Sequence, residues 1–187
     1  MIDVFIRTTS DKSHLRAAMF DVSFHRWDLE KTNIKFIHDM EIRSGRVYAE
    51  ENAESDPYIF TDDDVLIVGK DWVKRAVTAI REYPEYLAVS SLSLVESENL
   101  ATCPPEYAGM SMILHPGIIY PMHAVGAPMI IRKGTMVDLP EMDLNSECGV
   151  IHKMILDRGG KEGLVNGLRH NHLGHGFSSN PALFWGY

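Results

Sequence analysis

Tyr58-Ile59-Phe60-Thr61-Asp62-Asp63-Asp64-Val65-Leu66-Ile67-Val68 is the stretch that decides the fold class. Three consecutive carboxylates stand between two short apolar runs rich in the β-branched and aromatic side chains that favour strands. Like charges at that spacing repel, so the triplet is costly unless something positive sits beside it. A divalent cation removes the cost. Carboxylate oxygens are hard ligands suited to Mg²⁺ or Mn²⁺, and such ions commonly hold substrate phosphates as well. A solvated acidic turn is the plainer account of any Asp triplet. The apolar strand in front argues against it here, because it sets the carboxylates at the carboxyl end of a central strand, where open α/β sheets bind ligands.

Outward from that segment, strands and helices alternate. Residues 2–7 read as a buried first strand that runs into the polar cluster Thr8-Thr9-Ser10-Asp11. Leu15, Ala18, Met19, Val22 and Trp27 give 12–28 a helical period. Ile34–Ile37 predicts a second strand ending at His38-Asp39, and a short helix is expected around 46–54. Asp71 to Tyr83 is amphipathic, with Trp72, Val73, Ala76, Val77 and Ile80 on its apolar face and Pro84 as its stop. Strands are expected over 86–90 and 126–132, and a helix over 147–158 ending at Gly159-Gly160. Residues 91–125 are broken by Pro104, Pro105, Gly109, Pro116, Gly117 and Pro121 and read as a long irregular segment, which in a small domain is usually functional. From Arg169 onward the chain reads as a His/Gly/Asn-rich tail. The alternation predicts an α/β fold with a mostly parallel central sheet flanked by helices.

At 187 residues and 45% hydrophobic, the chain is expected to form one domain with a sizeable core. A net charge of −8 argues against nucleic-acid binding through a basic surface, but not against a nucleotide whose phosphates a metal neutralises. No apolar run reaches membrane-spanning length, and the first residues begin directly on a strand. Cys103 and Cys148 have no metal-like spacing, so a reduced, cytoplasmic protein is the expectation.

The order of these features resembles the GT-A glycosyltransferases, the family 2 type in particular, over about residues 1–180. In that family a first strand ends in a Thr-containing nucleotide loop, matched by Arg7-Thr8-Thr9 with Arg7 where Pro is usual. An acidic residue ending the second strand contacts the base, and Asp39 matches it. An Ala-Arg-Asn-like segment precedes the metal strand; here it is Glu50-Glu51-Asn52-Ala53, which keeps Asn52 but not the Arg, so Arg46 is the substitute source of charge for the diphosphate. The Asp-X-Asp motif is matched by Asp62-Asp63-Asp64. Downstream, a Gly-rich strand with an Arg matches Gly126 to Arg132. An acidic pair opening a helix matches Glu147, with Cys148 in place of the usual Asp.

The resemblance implies a GT-A, Rossmann-like single domain over 1–187, with a nucleotide and metal half (1–68) and an acceptor half with a metal-ligand tail (86–187). It implies metal-dependent transfer from a nucleotide-diphosphate sugar, UDP-sugar being the commonest donor, to an acceptor hydroxyl with inversion. Glu147 is the expected base and Asp143 its understudy. Arg7, Thr8, Thr9, Asp39, Arg46, Asn52, Asp62 and Asp63 are the expected nucleotide contacts. Asp62, Asp64, His172 and His175 are the expected ligands of Mn²⁺ or Mg²⁺. The acceptor class is open among glycan, lipid, protein and modified base. The acceptor side is short for the family and is open to completion by a partner or a second copy of the chain.

Ordinary explanations exist for each residue alone. Glu147 suits a helix N-terminus, and Asp39 suits a turn. Two other enzyme classes compete. His170-Asn171-His172-Leu173-Gly174-His175 has the His spacing of metallo-β-lactamase-like zinc hydrolases, with Gly174 at the Asp position and few residues to follow. A nucleotidyltransferase would use the same acidic site but attack phosphorus; it normally opens with a Gly-rich loop, and Arg7 to Lys12 has no Gly.

Overall fold

A computed structural model describes residues 1–8, 27, 31–69, 71–93, 119–121, 127–141 and 147–172. In chain order these form β1 (Ile2–Thr8), β2 (Thr32–His38), α1 (Ile42–Asn52), β3 (Tyr58–Asp62), β4 (Val65–Val68), α2 (Trp72–Glu82), β5 (Tyr86–Ser93), β6 (Ile119–Pro121), β7 (Met129–Ile131), α3 (Glu147–Asp157) and β8 (Lys161–His172). The expected α/β class holds. The helix read over 12–28 lies outside the described residues except for Trp27.

One sheet runs in the order β2-β1-β3-β7-β5-β8-β4, with β6 beside β8. Its pairing is mixed. β1–β2, β1–β3 and β5–β8 are parallel, while β3–β7, β5–β7, β4–β8 and β6–β8 are antiparallel. The segment 126–132 reads as a strand in the sequence, but nothing local tells that β7 runs against both neighbours. Because two reversals separate β3 from β5, the strands β1, β2, β3, β5 and β8 all point the same way and end at one edge.

Strict alternation along the central strands divides the core. Val4, Ile6, Ile59, Val89, Ile130 and Val165 face α2, where Trp72, Val73, Ala76, Val77 and Ile80 cover them; Trp27 packs edge-on to Trp72. Phe5, Tyr58, Phe60, Ala88, Met129 and Ile131 face α1 and α3, which contribute Ala49, Ile151, Met154 and Ile155, with Ala53 just past the end of α1. Strands buried on both faces read as unbroken apolar runs, which is why β1 and β3 were legible without a period-2 pattern.

The presumed tail from Arg169 is not a tail at its start. Residues up to His172 complete β8, a 12-residue strand. Likewise Ile119–Pro121, inside the segment read as irregular, is a short strand paired with the first half of β8. β8 was hidden because Gly, Asn and His are poor strand formers, and β6 because three residues ending in Pro121 are too short to show a pattern; partners far along the chain hold both extended.

Chain connectivity then dictates a curl. β3 and β4 lie four interstrand steps apart in the sheet, which in a flat sheet is roughly 19 Å. Asp62 and Val65 are joined by three residue steps, which reach at most about 11 Å. The sheet must therefore fold over at its carboxyl edge. The bend is visible in β8: between Ser90/Leu164 and Leu92/Arg169, β5 advances two residues while β8 advances five. Gly167 sits in that bulge at φ +72, a conformation that costs glycine little. From α2, Arg75 donates to the carbonyls of Asn166 (3.0 Å) and Gly167 (3.5 Å), and the Trp72 indole donates to that of Arg169 (3.1 Å). Among the described residues, no helix is long and apolar enough to cross a membrane.

Candidate active site

The curl brings the Asp triplet, the ends of β1 and β2, and the end of β8 to one place. β1 and β3 are in parallel register, Arg7 beside Asp62. Their ends are cross-linked residue by residue. Arg7 Nε donates to Asp62 Oδ1 at 2.7 Å, and Thr8 Oγ1 donates to Asp63 Oδ2 at 2.6 Å. The Asp63 amide donates to the Arg7 carbonyl at 3.1 Å, and the Asp39 amide to the Thr8 carbonyl at 3.0 Å. Asp39 adopts φ +51, a left-handed turn that Asp tolerates better than most residues, and so takes the chain away from the edge immediately after β2.

The three aspartates have distinct surroundings. Asp63 is 1% exposed and holds the Thr8 hydroxyl. Asp62 is half-buried against the Arg7 guanidinium. Asp64, also half-buried, directly precedes Val65, which pairs with His172 in the antiparallel register of β4 and β8. The end of β8 is thereby one residue from Asp64. His175 lies outside the described residues.

α3 ends at the edge where β8 begins, joined to it through Gly159 and Gly160. Eleven helical residues rise about 16 Å, which carries Glu147 at its start back toward the carboxyl edge. Asp143 and Thr9 lie outside the described residues.

Two expected nucleotide contacts are not brought here. Asn52 is the last residue of α1, at the opposite edge; its amide donates to the Tyr48 carbonyl of its own helix, and its carbonyl accepts from Lys35 Nζ. Arg46 is 1% exposed and lies inside the core, with its guanidinium 4.4 Å from the centre of the Phe60 ring and one nitrogen 3.9 Å from Met129 Sδ. The direction of α1, from the end of β2 back to the start of β3, accounts for Asn52, and helical periodicity accounts for Arg46. Ile42, Gly45, Arg46 and Ala49 form the buried stripe of α1, so Arg46 faces the sheet and not the solvent.

His170, the first residue of the zinc-like spacing, is fully buried, and its Nδ1 is 2.9 Å from Ser91 Oγ. It ties β8 to β5 within the sheet. Among the described residues, no three His, Cys, Asp or Glu side chains are grouped to hold a metal by themselves. A Mg²⁺-type site does not require such a group, since one or two carboxylates and the substrate phosphates supply the rest. The carboxylates of Asp62 and Asp64 fit that hard cation better than they fit zinc. The Thr8–Asp63 and Arg7–Asp62 pairings were missed at the level of sequence. Their only trace there is that two apolar strands both end in polar residues.

The mixed, curled α/β sheet with helices on both faces is consistent with a GT-A-type fold. No family model matches the sequence, and no curated protein matches it. Solved structures do. TarS of S. aureus, residues 1–349, superposes with TM-score 0.57 and 13% identity, covering 90% of this chain and 59% of that one. GalNAc-T7, crystallised with UDP, GalNAc and Mn²⁺, gives 0.60 and 11%, covering 92% and 43%. Both are GT-A-type glycosyltransferases, and this chain spans less than two thirds of either. The synthetase of CMP-2-keto-3-deoxy-manno-octonic acid, in complex with CTP, gives 0.55 and 12%, covering 98% of each chain. The fold is thus one shared by glycosyltransferases and by a nucleotidyltransferase.

Proposed function

We propose that the chain is a metal-dependent glycosyltransferase that moves a sugar from a nucleotide-diphosphate sugar, a UDP-sugar foremost, to an acceptor hydroxyl with inversion. The observation that carries this reading is the convergence of the β1, β2, β3 and β8 ends around Asp62–Asp64 at the one edge where open α/β sheets bind ligands. Asp64 and the end of β8, through His172 or His175, are the proposed ligands of Mn²⁺ or Mg²⁺, with Asp62 facing the donor or a metal-bound water. The ion, when bound, would supply Lewis-acid stabilisation of the charge that develops on the diphosphate. Arg7 and Thr8 hold the carboxylates, and Asp39 stands at the end of β2 where a base would be read. Glu147 takes the proton of the acceptor hydroxyl at its carboxylate, a role that calls for hydrogen-bond reach in the complex with both substrates. Completion of the acceptor side by a second subunit is part of the proposal.

A nucleotidyltransferase is the second reading, favoured by one observation: the synthetase match runs end to end on both chains, where the transferase matches do not. One assay separates the two. The purified chain is incubated with Mn²⁺ and either a panel of UDP- and other nucleotide sugars or CTP with a sugar acid. Release of nucleoside diphosphate from a nucleotide sugar supports the transferase. Release of pyrophosphate from CTP, with none from the nucleotide sugars, replaces it with the second reading.

A further inference from the structure

We infer that the aspartate triplet is divided by β1 into a ligand and a brace, and that Asp63 is a positioning residue which acts through Asp64 and touches neither cation nor nucleotide. This rests on the metal-site reading above and specifies which carboxylate serves it. The Asp63 side chain is 1% exposed, and one of its oxygens accepts the Thr8 hydroxyl at 2.6 Å, inside the protein and across 55 residues of sequence. The Asp63 amide is spent on the Arg7 carbonyl at 3.1 Å, so both its backbone and its side chain face β1. A carboxylate in that posture cannot turn to a ligand at the edge without leaving a buried hydroxyl behind, a cost comparable to a lost buried hydrogen bond.

The neighbours on either side are set by the same two strands. Asp62 is drawn to Arg7, whose Nε is 2.7 Å from Oδ1. Asp64 is left as the triplet member nearest the end of β8, through the Val65–His172 register. Thr8 therefore fixes the peptide on which Asp64 is mounted. Removing the hydroxyl loosens that mount without touching the ligand.

The test is a Mn²⁺ titration of the full chain, followed by electron paramagnetic resonance of the free ion at 20 °C, with melting temperature recorded separately. Thr8→Val is expected to weaken Mn²⁺ binding about tenfold, in the range of outer-shell substitutions at metal sites, and Thr8→Ser to restore it. Asp63→Asn keeps an acceptor for Thr8 and is expected to weaken Mn²⁺ binding by no more than about tenfold, the effect of one negative charge removed near the ion and not of a lost ligand. Asp64→Asn is expected to lose binding. If Thr8→Val lowers only the melting temperature and binds Mn²⁺ normally, the hydroxyl is merely structural and the inference fails while the metal site stands. If Asp63→Asn loses binding as fully as Asp64→Asn, Asp63 is itself a ligand and the inference also fails alone. A wild-type chain that takes up no Mn²⁺ overturns both the inference and the metal reading beneath it.

Discussion

At the amino edge of the sheet, Asp3 accepts from the amides of Glu54 (2.6 Å) and Ser55 (2.9 Å), from the Asn33 amide group (2.8 Å), and pairs with Lys35 at 3.2 Å. At the carboxyl edge, Asp39, Asp62, Asp63 and Asp64 gather at the ends of two strands and the turn that follows. The amino edge uses its charges to tie loops down. Glu50 accepts from the Tyr58 hydroxyl and from the amides of Gly134 and Met136; Arg132 reaches carbonyls of Ile80 and Tyr86; Arg158 fastens those of Gly134, Thr135 and Val137. Each charge there is matched to several groups of opposite polarity. The carboxyl edge instead gathers four aspartates, one of them paired with Arg7, beside a bend built with a bulge, a glycine at positive φ and two side chains from α2. Substitutions at the amino edge should therefore unfold the protein, and those at the carboxyl edge should disable it.

The largest effect is expected at Asp64. Asp64→Ala should reduce Mn²⁺-dependent nucleotide binding and turnover by at least about a hundredfold while leaving the melting temperature close to wild type, since loss of a direct ligand should exceed the effect of an outer-shell change. Calorimetric titration with Mn²⁺ and UDP checks the first half and thermal denaturation the second. Next is Glu147. Glu147→Gln should lower turnover by about 10²- to 10⁴-fold, the usual worth of a general base, and spare nucleotide binding. A near-normal rate in that variant would remove Glu147 from the role.

At the other edge the signature reverses. Glu50 is 5% exposed and serves three donors, so Glu50→Ala leaves buried groups unmatched and should cost about 3 kcal/mol of stability, a fall in melting temperature on the order of 10 °C, with Mn²⁺ affinity unchanged. A loss of metal affinity there would break the separation of the edges. The smallest expected effect is a pH dependence at Asp3. Burial alone would raise its carboxyl, but the Ser55 and Glu54 amides, Asn33 and Lys35 outweigh that and hold it below the usual aspartate value. The folded state then binds this proton less readily than the unfolded chain. The contribution of Asp3 is full above the ordinary aspartate range and is lost as pH falls through the lowered folded value. Denaturant melts of wild type and Asp3→Asn between pH 6 and pH 3 should show a shallower acid loss in the variant; parallel curves would exclude it.

How much of this was legible in the sequence follows from what each residue depends on. β1, β3 and α2 depend on local pattern, and the readings 2–7, 58–61 and 71–83 match Ile2–Thr8, Tyr58–Asp62 and Trp72–Glu82 closely. The triplet's place at a strand end follows from the apolar run before it. What could not be read depends on distant partners. His170 and His172 look like tail residues until β4 and β5 are set on either side of them. Arg46 looks like a spare cation until the buried stripe of α1 is known, and Asn52 falls at the opposite edge because α1 leaves the carboxyl edge after β2 and runs back to where β3 begins. The division of labour within Asp62–Asp64 is set by β1, more than 50 residues earlier, and no property of the triplet itself reports it.

The central claim is that the carboxyl edge is a joint site for a divalent cation and a nucleoside diphosphate. Its most direct test is the melting temperature of wild type and Asp64→Ala with Mn²⁺ alone, UDP alone and both together. In wild type the pair is expected to raise the melting temperature by more than the sum of the separate shifts, with about 2.7 kcal/mol of stabilisation at a hundredfold excess over Kd, and Asp64→Ala is expected to show no such excess. A wild type that no nucleoside diphosphate stabilises in the presence of Mn²⁺, or an Asp64→Ala variant that responds as wild type does, would contradict it.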